Sequence, residues 1–399
     1  MSRIRARWIA ALAAAALAVP VGAAGWAYAS GPNGDWPQAD HDASANRANR
    51  TATQITAANV STVGWLRGLA GPPPVPAECG VGFTPPVIAG NRAYAVSTGR
   101  LLAYDLTTGA QLWQRTVESG HLTEIIRTYA FSGGRVFTGS VDCISGSDPA
   151  GWVRAFDAAT GASLWTRHFT GLWALSVTGS RVVATGATEG SGSTVEVLDA
   201  ATGAVVWSRL GDICDLPTSA VVAYDRVYYE DCDNAGARSL VAAAVSTGAV
   251  AWRKSGSWPV QRADAVGTVA KHLYSGSTAL NPTNGATRFT LSGATRIDAV
   301  DATRVYANCG TVVCAFTRAT GARLWTSTVP ASGRGFWPAR LALAGALLYT
   351  PIGTVLDAAT GAVVKQLWDG EATELSVGNG YVVAAVDGHV LDVYGRPGT

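Results

Sequence analysis

The sequence lacks the short motifs that mark several classes of enzyme. It contains no G-x-S-x-G nucleophile turn, no H-E-x-x-H zinc pair and no G-x-x-x-x-G-K phosphate loop. It also lacks C-x-x-C and C-x-x-C-H, the spacings of common zinc sites and of covalent c-type haem. The five histidines, His41, His121, His168, His272 and His389, fall in unrelated segments, so we expect no metal cluster.

Charge of either sign is also scarce. Charged residues make up 15% of the chain, and the formal net charge is +2. This balance argues against binding to nucleic acid, which requires a basic surface. Only three of the 30 basic residues are lysines, which indicates the codon usage of a GC-rich genome rather than a basic patch.

Glycine and tryptophan, by contrast, are abundant and occur in a repeated phrase. Clear copies read AFDAATGASLW and VLDAATGAVVW, with an acidic residue, a Thr-Gly pair and a tryptophan at fixed offsets. Seven copies end at the aligned positions Trp113, Trp165, Trp207, Trp252, Phe289, Trp325 and Lys365. The copies lie roughly forty residues apart, a period typical of a repeat architecture.

Three short segments rich in β-branched and aromatic residues precede each phrase, with turn residues between them. In the unit 84–117 we predict strands A to D at 85–89, 92–97, 101–106 and 110–117, a meander of the size of one propeller blade. Eight A–B hairpins occur but only seven Thr-Gly phrases, so one outer strand is missing. We predict that Trp65, in an N-terminal strand, completes the last blade. The sequence therefore predicts an all-β, eight-bladed β-propeller of four-stranded antiparallel blades, closed by the N-terminal strand.

The repeated A-x-D-x-x-T-G-x-x-x-W phrase resembles the tryptophan-docking motif of pyrroloquinoline quinone (PQQ) propellers, and the segment DWPQADHDASANRANRTATQITAANVSTVGW resembles the start of that superfamily. The resemblance covers nearly all of residues 35–394. The superfamily includes quinoprotein dehydrogenases, with cofactor and calcium on the ring axis, and cofactor-free members such as the BamB-type lipoprotein. A fold that both classes share does not choose between them.

The N-terminus has the composition of an export signal. Arg3, Arg5 and Arg7 precede an apolar run over 8–21, and Ala27-Tyr28-Ala29 before Ser30 fits a cleavage site. An uncleaved membrane anchor is the alternative, because the apolar segment approaches spanning length. We divide the chain into a signal or anchor (1–29), an N-terminal arm (30–64) and the propeller (65–399), and expect a secreted or extracytoplasmic, surface-associated protein.

The six cysteines of an exported chain suggest three disulfides. In the blade scheme all six lie on one face, at D–A connections or B–C turns. We pair Cys309 with Cys314, Cys214 with Cys232, and Cys79 with Cys143; zinc is the alternative.

The residues near the start of each strand A should line a funnel on the ring axis. Counting back six residues from each A–B hairpin places Arg127, Trp173, Asp264 and Arg296 there, with Arg340 close by. These side chains either pair with one another as an electrostatic plug or bind a small anionic or polar ligand. By resemblance, a quinoprotein would use Arg127, Trp173, Arg296 and Arg340 to hold PQQ, and Asp264 as the catalytic base.

The quinoprotein interpretation lacks several parts that the resemblance requires. No two cysteines are adjacent, and the positions expected to bind calcium carry Trp173 and Thr218, with Asp215 as the nearest carboxylate. One carboxylate is a poor provision for an ion that takes six to eight oxygens. The connecting loops are also short.

We therefore favour a non-catalytic, cofactor-free and metal-free scaffold that binds a protein or envelope component, and we expect a monomer. Its partner surface would be the disulfide-bearing face with the acidic B–C turns of blades 2 to 4, where DCDNAG (231–236) is either a solvated turn or a partial calcium loop. The alternative is a PQQ- and calcium-dependent quinoprotein dehydrogenase that oxidises an alcohol or sugar.

Overall fold

The computed structural model describes residues 34–71, 84–97, 99–116, 124–142, 150–188, 192–210, 220–233, 235–264, 271–330, 340–386 and 390–398. Within these ranges the helical structure is limited to one 3-10 turn, Val60–Thr62. No helix in this part of the chain is long and apolar enough to span a membrane.

Eight sheets form the blades of a propeller, each with four antiparallel strands that are consecutive in the sequence in blades 1 to 7, which confirms the predicted fold class. The strands of blades 1 to 4, in the order A to D, are Val87–Ala89, Arg92–Ser97, Arg100–Asp105 and Gln111–Thr116; Glu124–Ser132, Arg135–Asp142, Ala150–Asp157 and Ser163–Thr170; Leu172–Thr178, Arg181–Thr188, Gly192–Asp199 and Val205–Leu210; and Val221–Ala223, Arg226–Cys232, Arg238–Ala244 and Val250–Ser255.

Blades 5 to 8 follow the same plan with shorter strands. Their strands are Val260–Ala263, Leu273–Ser275, Thr278–Leu280 and Thr287–Thr290; Arg296–Val300, Arg304–Cys309, Val312–Thr317 and Arg323–Pro330; Ala342–Ala344, Leu347–Tyr349, Thr354–Asp357 and Val363–Gln366; and Glu374–Gly378, Tyr381–Ala385, Val390–Gly395 and, from the N-terminus, Gly64–Ala70. A two-residue strand, Ala48–Asn49, adds in parallel to strand A of blade 7.

The repeated phrase forms the turn between strands C and D. In blade 3 the carboxylate of Asp199 accepts hydrogen bonds from the backbone N–H groups of Ala201 (3.0 Å) and Thr202 (3.1 Å). Gly203 then adopts φ +73°, a left-handed conformation that favours glycine. The acidic residue and the Thr-Gly pair are thus required by local turn geometry.

The tryptophan of the phrase joins each blade to the next one. The indole N–H of Trp207 donates to the carbonyl oxygen of Val245 (2.7 Å), and that of Trp165 donates to the carbonyl oxygen of Ala200 (3.2 Å). The ring also lies against the turn glycine of the next blade: a Cβ on Gly203 would be 2.7 Å from Cε3 of Trp165. Trp113, Trp252 and Trp325 make the equivalent hydrogen bond.

The N-terminal strand closes the ring, as predicted, by pairing Trp65 with Tyr394 in strand C of blade 8. Its indole N–H donates to the Asp392 carboxylate of the same blade (2.9 Å), but Trp65 does not occupy the tryptophan position of the repeat. A β-bulge between Trp65 and Arg67 shifts the register, so that Arg67 takes the position that Trp113 has in blade 1. Trp65 is 60% exposed, whereas the Arg67 guanidinium bonds the carbonyl of Thr107 in blade 1.

The N-terminal arm forms a belt that bonds strand A, or the residue just after it, in every blade. It begins at blade 8, where Asn379 N donates to Gly34 O, and Trp36 then exchanges two backbone hydrogen bonds with Ile88 of blade 1 (2.8 and 2.9 Å). The remaining contacts follow the order of the blades and join Pro37 to Phe131, Gln38 to Val177, Ala43 to Val222, Ser44 to Ala263, Asn46 to Val300, Arg47 to Leu343, and Asn49 to Gly345 and Val377.

Local side-chain bonds and left-handed residues give the belt its curvature. The Asp42 carboxylate accepts from the backbone N–H and hydroxyl of Ser44 and from the amide of Asn46. His41, Ala45 and Arg47 have φ values of 76°, 55° and 49°. Such values are uncommon for residues other than glycine and are stable only where the surroundings fix them. The belt contacts the end of strand A that leads into the A–B connection.

Candidate functional site

A cavity of about 170 Å³ lies on the ring axis. The belt supplies one wall through Gln38, Asp40 and Asp42, and the strand A regions of blades 2 to 5 and 7 supply the others. Its lining includes Thr128, Leu175, Ser176, Val221, Gln261 and Arg340, together with Thr185 from strand B of blade 3.

Arginines surround Asp40 beside this cavity. Arg47 Nη1 lies 3.0 Å from the Asp40 carboxylate, and Arg262 Nη1 lies 3.8 Å from it. Burial alone would raise the pKa of Asp40, but Arg262, Arg340 and Arg47 together hold it well below its usual range. The carboxylate is therefore ionised at neutral pH.

The two buried arginines are held by backbone carbonyls. Arg47 Nε donates to Leu341 O, and Arg262 Nε donates to Ile297 O, each at 2.8 Å. Arg262 is fully buried, and its Nη2 has no hydrogen-bond partner among the described residues. Burial, with Arg340 and Arg47 nearby, lowers the pKa of Arg262 to about 9, against the opposing effect of Asp40.

Glu374, at the start of strand A in blade 8, adds little negative charge to this region at neutral pH. Its burial raises the pKa of the carboxyl to about 8, although Arg47 and Arg340 lower it. The group is therefore largely protonated at pH 7.

Four of the five predicted funnel residues lie within strand A or shortly before it. Arg127 and Trp173 occupy β-bulges in blades 2 and 3. The Arg127 guanidinium lies over the Trp173 ring, 4.6 Å from its centroid, and Trp173 is 46% exposed. Arg296 forms a two-point ion pair with the fully buried Asp298 (2.7 and 3.0 Å).

Asp264 lies elsewhere, so its predicted position at the funnel is wrong. It directly follows strand A of blade 5, because the A–B connection runs from Asp264 to His272 rather than being a tight turn. Its carboxylate accepts hydrogen bonds from Tyr224 (2.7 Å) and Arg318, and it lies 3.2 Å from Nδ1 of His272. These partners join blades 4, 5 and 6 in a buried cluster.

The cysteine predictions are confirmed in part. Cys309 and Cys314 form a disulfide across the B–C turn of blade 6. Cys232 is disulfide-bonded, but Cys79, Cys143 and Cys214 lie outside the described residues. The other two predicted pairings therefore stay predictions.

The predicted acidic surface of blade 4 is largely turned inward. Glu230 and Asp231 are buried, and they accept hydrogen bonds from Trp258 N (2.5 Å) and Arg253 (2.7 Å) respectively. Asp233 is exposed, and its carboxylate caps the turn. Asp148 and Glu189 lie outside the described residues. In the part of the chain that is described, no three histidine, cysteine or acidic side chains are grouped to hold a metal ion.

Sequence reasoning missed Asp40, Arg47, Arg262, Gln261 and Thr185. The first two lie in the arm, which has no repeat to align. Gln261 and Arg262 belong to blade 5. There the A–B connection is long, so counting back six residues from the hairpin reaches the end of strand A instead of its start. The one available signal was the density of arginine and aspartate in DHDASANRANR (40–50).

The fold defines the class of the protein, an eight-bladed β-propeller with tryptophans that join neighbouring blades. A family model described as outer membrane protein assembly factor BamB matches residues 7–148 and 149–366. The chain belongs to this family. No significant match is found among curated proteins.

Solved structures with the same fold have diverse functions. BamB from Moraxella catarrhalis is 20% identical, with 84% of this chain and 98% of that chain covered and a TM-score of 0.57. Quinohemoprotein alcohol dehydrogenase from Comamonas testosteroni is 15% identical, with 93% and 82% covered and a TM-score of 0.65. The computationally designed Ika8 protein is 17% identical, with 80% and 98% covered and a TM-score of 0.61. At such identities the similarity shows the fold alone.

Proposed function

We propose that the protein acts outside the cytoplasm as a cofactor-free scaffold that binds a protein or a component of the cell envelope. Its family takes its description from an outer membrane protein assembly factor. Disulfides are typical of oxidising compartments, and the Cys309–Cys314 bridge supports export by the N-terminal segment.

The observation that carries the proposal is how the groups expected to hold a quinone are engaged. Arg296 is neutralised by Asp298, and Arg127 covers a face of the Trp173 ring. Asp264, the expected base, is enclosed by Tyr224 and Arg318 at the other end of its strand. A quinone held by Arg296 would have to compete with its ion pair to Asp298, whose fully buried carboxylate would be costly to leave alone.

The size of the axial cavity supports the same interpretation. Its volume of about 170 Å³ is below the range of roughly 300 to 1,000 Å³ that is usual for ligand pockets. This small volume supports the proposal that no fused-ring quinone with its calcium ion binds in the axial cavity.

The partner surface that we propose lies on the disulfide-bearing face. Because Glu230 and Asp231 are buried, the exposed turn at Asp233 and the stapled turn of blade 6 are the better candidates for contact. Disulfides fix such turns, which lowers the entropy lost on binding.

Titration with PQQ and calcium tests the absence of a cofactor. We expect no change in the melting temperature and no dye-linked alcohol oxidation. Ligand at a hundred times its dissociation constant would add about 2.7 kcal/mol to the free energy of unfolding, which is easily detected. A shift that disappears in Arg296→Ala would contradict the proposal and favour a quinoprotein.

Photo-crosslinking in intact cells tests the partner. A crosslinking amino acid at position 233 should give a discrete protein adduct, whereas the same residue at the exposed position 288 on strand D of blade 5 should not. Identical patterns from both positions would argue against the proposed surface.

A further inference from the structure

We propose that the axial cavity is a binding site for a small oxyanion, either inorganic phosphate or a short carboxylate, held by Arg340, Gln261 and Thr185. All three side chains line the cavity. The site is independent of the scaffold role.

These three side chains have unused hydrogen-bond donors. Thr185 is 3% exposed, and its hydroxyl has no partner in the described part of the chain. Among the same residues, the side chains of Arg340 and Gln261 form neither a hydrogen bond nor an ion pair. Buried polar groups are nearly always paired, so the unused hydroxyl of the buried Thr185 indicates an acceptor from outside the chain, which the partly exposed Arg340 and Gln261 can also reach.

The acceptors that line the cavity, by contrast, are already engaged. Asp42 receives donors from Ser44 and Asn46, and Asp40 receives Arg47. The side-chain oxygen of Gln38 accepts from Val177 N (2.9 Å). Donors of the chain thus occupy Asp42 and Gln38, and Asp40 is bound through one of its two oxygens.

Charge favours the same class of ligand. The lining carries Arg340, Asp40 and Asp42. Arg47 and Arg262 lie behind it, within 4 Å of the Asp40 carboxylate, and offset its negative charge. Arg340 also presents the planar donor fork that suits phosphate and carboxylate.

The volume sets the size of the anion. An engineered cavity of about 150 Å³ accommodates benzene. The axial cavity, at about 170 Å³, is therefore large enough for phosphate, acetate or succinate.

The experiment measures melting temperature and calorimetric binding with phosphate, acetate and succinate, against chloride at equal ionic strength. We expect saturable binding of one anion per chain. Binding of phosphate alone assigns a tetrahedral anion, and binding of acetate or succinate alone assigns a carboxylate. No binding beyond that of chloride, for any of the three, overturns the proposal.

Variants tie the response to the site. Arg340→Gln should weaken binding about tenfold, because a charge-assisted hydrogen bond is lost. Arg340→Lys should retain part of the affinity, and Thr185→Val should weaken binding a few-fold. The matched control, Arg288→Gln, removes an exposed arginine on strand D of blade 5 and should change nothing. Unchanged affinity in Arg340→Gln and in Thr185→Val would show that the anion binds elsewhere.

The pH dependence provides a second readout. Glu374 is faced by Asp40 and Arg47 of the arm, by Arg340 of blade 7 and by Tyr129 of blade 2. Its ionisation near pH 8 adds negative charge, so anion affinity should fall as the pH rises through that value. Glu374→Gln should remove this fall; if the fall persists in that variant, another group causes it and the electrostatic part of the proposal fails.

Discussion

The contacts between neighbouring blades differ between two sectors of the ring. Between blades 1 and 5, tryptophans at the rim join each blade to the next, as Trp113 and Trp207 do. Around blade 8 the same rim position carries a cation. Lys365 Nζ donates to Ser61 O (3.2 Å), and Arg67 bonds Thr107 O.

In this closing sector the apolar burial lies inside the ring rather than at its rim. Trp36 of the arm is fully buried, and Trp368 is 7% exposed, with its ring centroid 5.2 Å from that of Tyr394. Ile55 and Leu69 belong to the same cluster. Strand D of blade 8 continues from the arm, so one segment both closes the ring and contributes to the core. This sector is therefore held together without docking tryptophans at its rim.

The largest expected effect is the loss of this interior contact in Trp36→Ala. Removing a fully buried tryptophan should lower the free energy of unfolding by about 3 to 5 kcal/mol. Equilibrium unfolding in guanidinium chloride measures it. Trp65→Ala, which removes a 60% exposed side chain of the same region, should change it by no more than about 0.5 kcal/mol. Equal losses in both variants would show that the closing sector depends on its rim after all.

Trp207→Ala and Arg67→Ala compare how much the rim contact contributes to stability in the two sectors. Trp207 is 9% exposed and bonded to Val245, so its removal should cost about 3 kcal/mol. Arg67 contributes one exposed hydrogen bond, and its removal should cost about 1 kcal/mol. A larger loss at Arg67 in the same unfolding measurement would contradict the view that the arm replaces rim docking.

The sequence predicts the blades because their signals are local. Asp199, Thr202 and Gly203 act within one turn, so the phrase is visible without knowledge of the tertiary structure. The register of the last strand is not local. A bulge after Trp65 moves the docking position to Arg67, and only pairing with the C-terminal strand reveals it.

The site was less predictable for a related reason. The count that placed Arg127 and Arg296 at the funnel assumes a tight A–B turn, and it fails in blade 5, where Asp264 begins a long connection. The belt could not be predicted from the sequence because it binds through backbone groups, as in the hydrogen bonds from Val222 N to Ala43 O and from Ala263 N to Ser44 O. Such bonds leave no pattern of side chains.

The smallest expected effect concerns two glycines with positive φ. Their substitution separates the free-energy cost of left-handed backbone strain from the cost of disturbing the contact between blades. Gly203 (φ +73°) lies against Trp165, whereas a Cβ on Gly276 (φ +54°) would meet nothing within 4 Å. Gly276→Ala should therefore cost only the left-handed strain of about 1 kcal/mol. Gly203→Ala should cost about 1 kcal/mol more, because the new Cβ would be 2.7 Å from the indole ring and must displace it. Combining Gly203→Ala with Trp165→Leu removes the ring, so the extra cost should disappear when the double variant is compared with Trp165→Leu alone. If the extra cost remains without the indole, its origin is the turn and not the contact between blades.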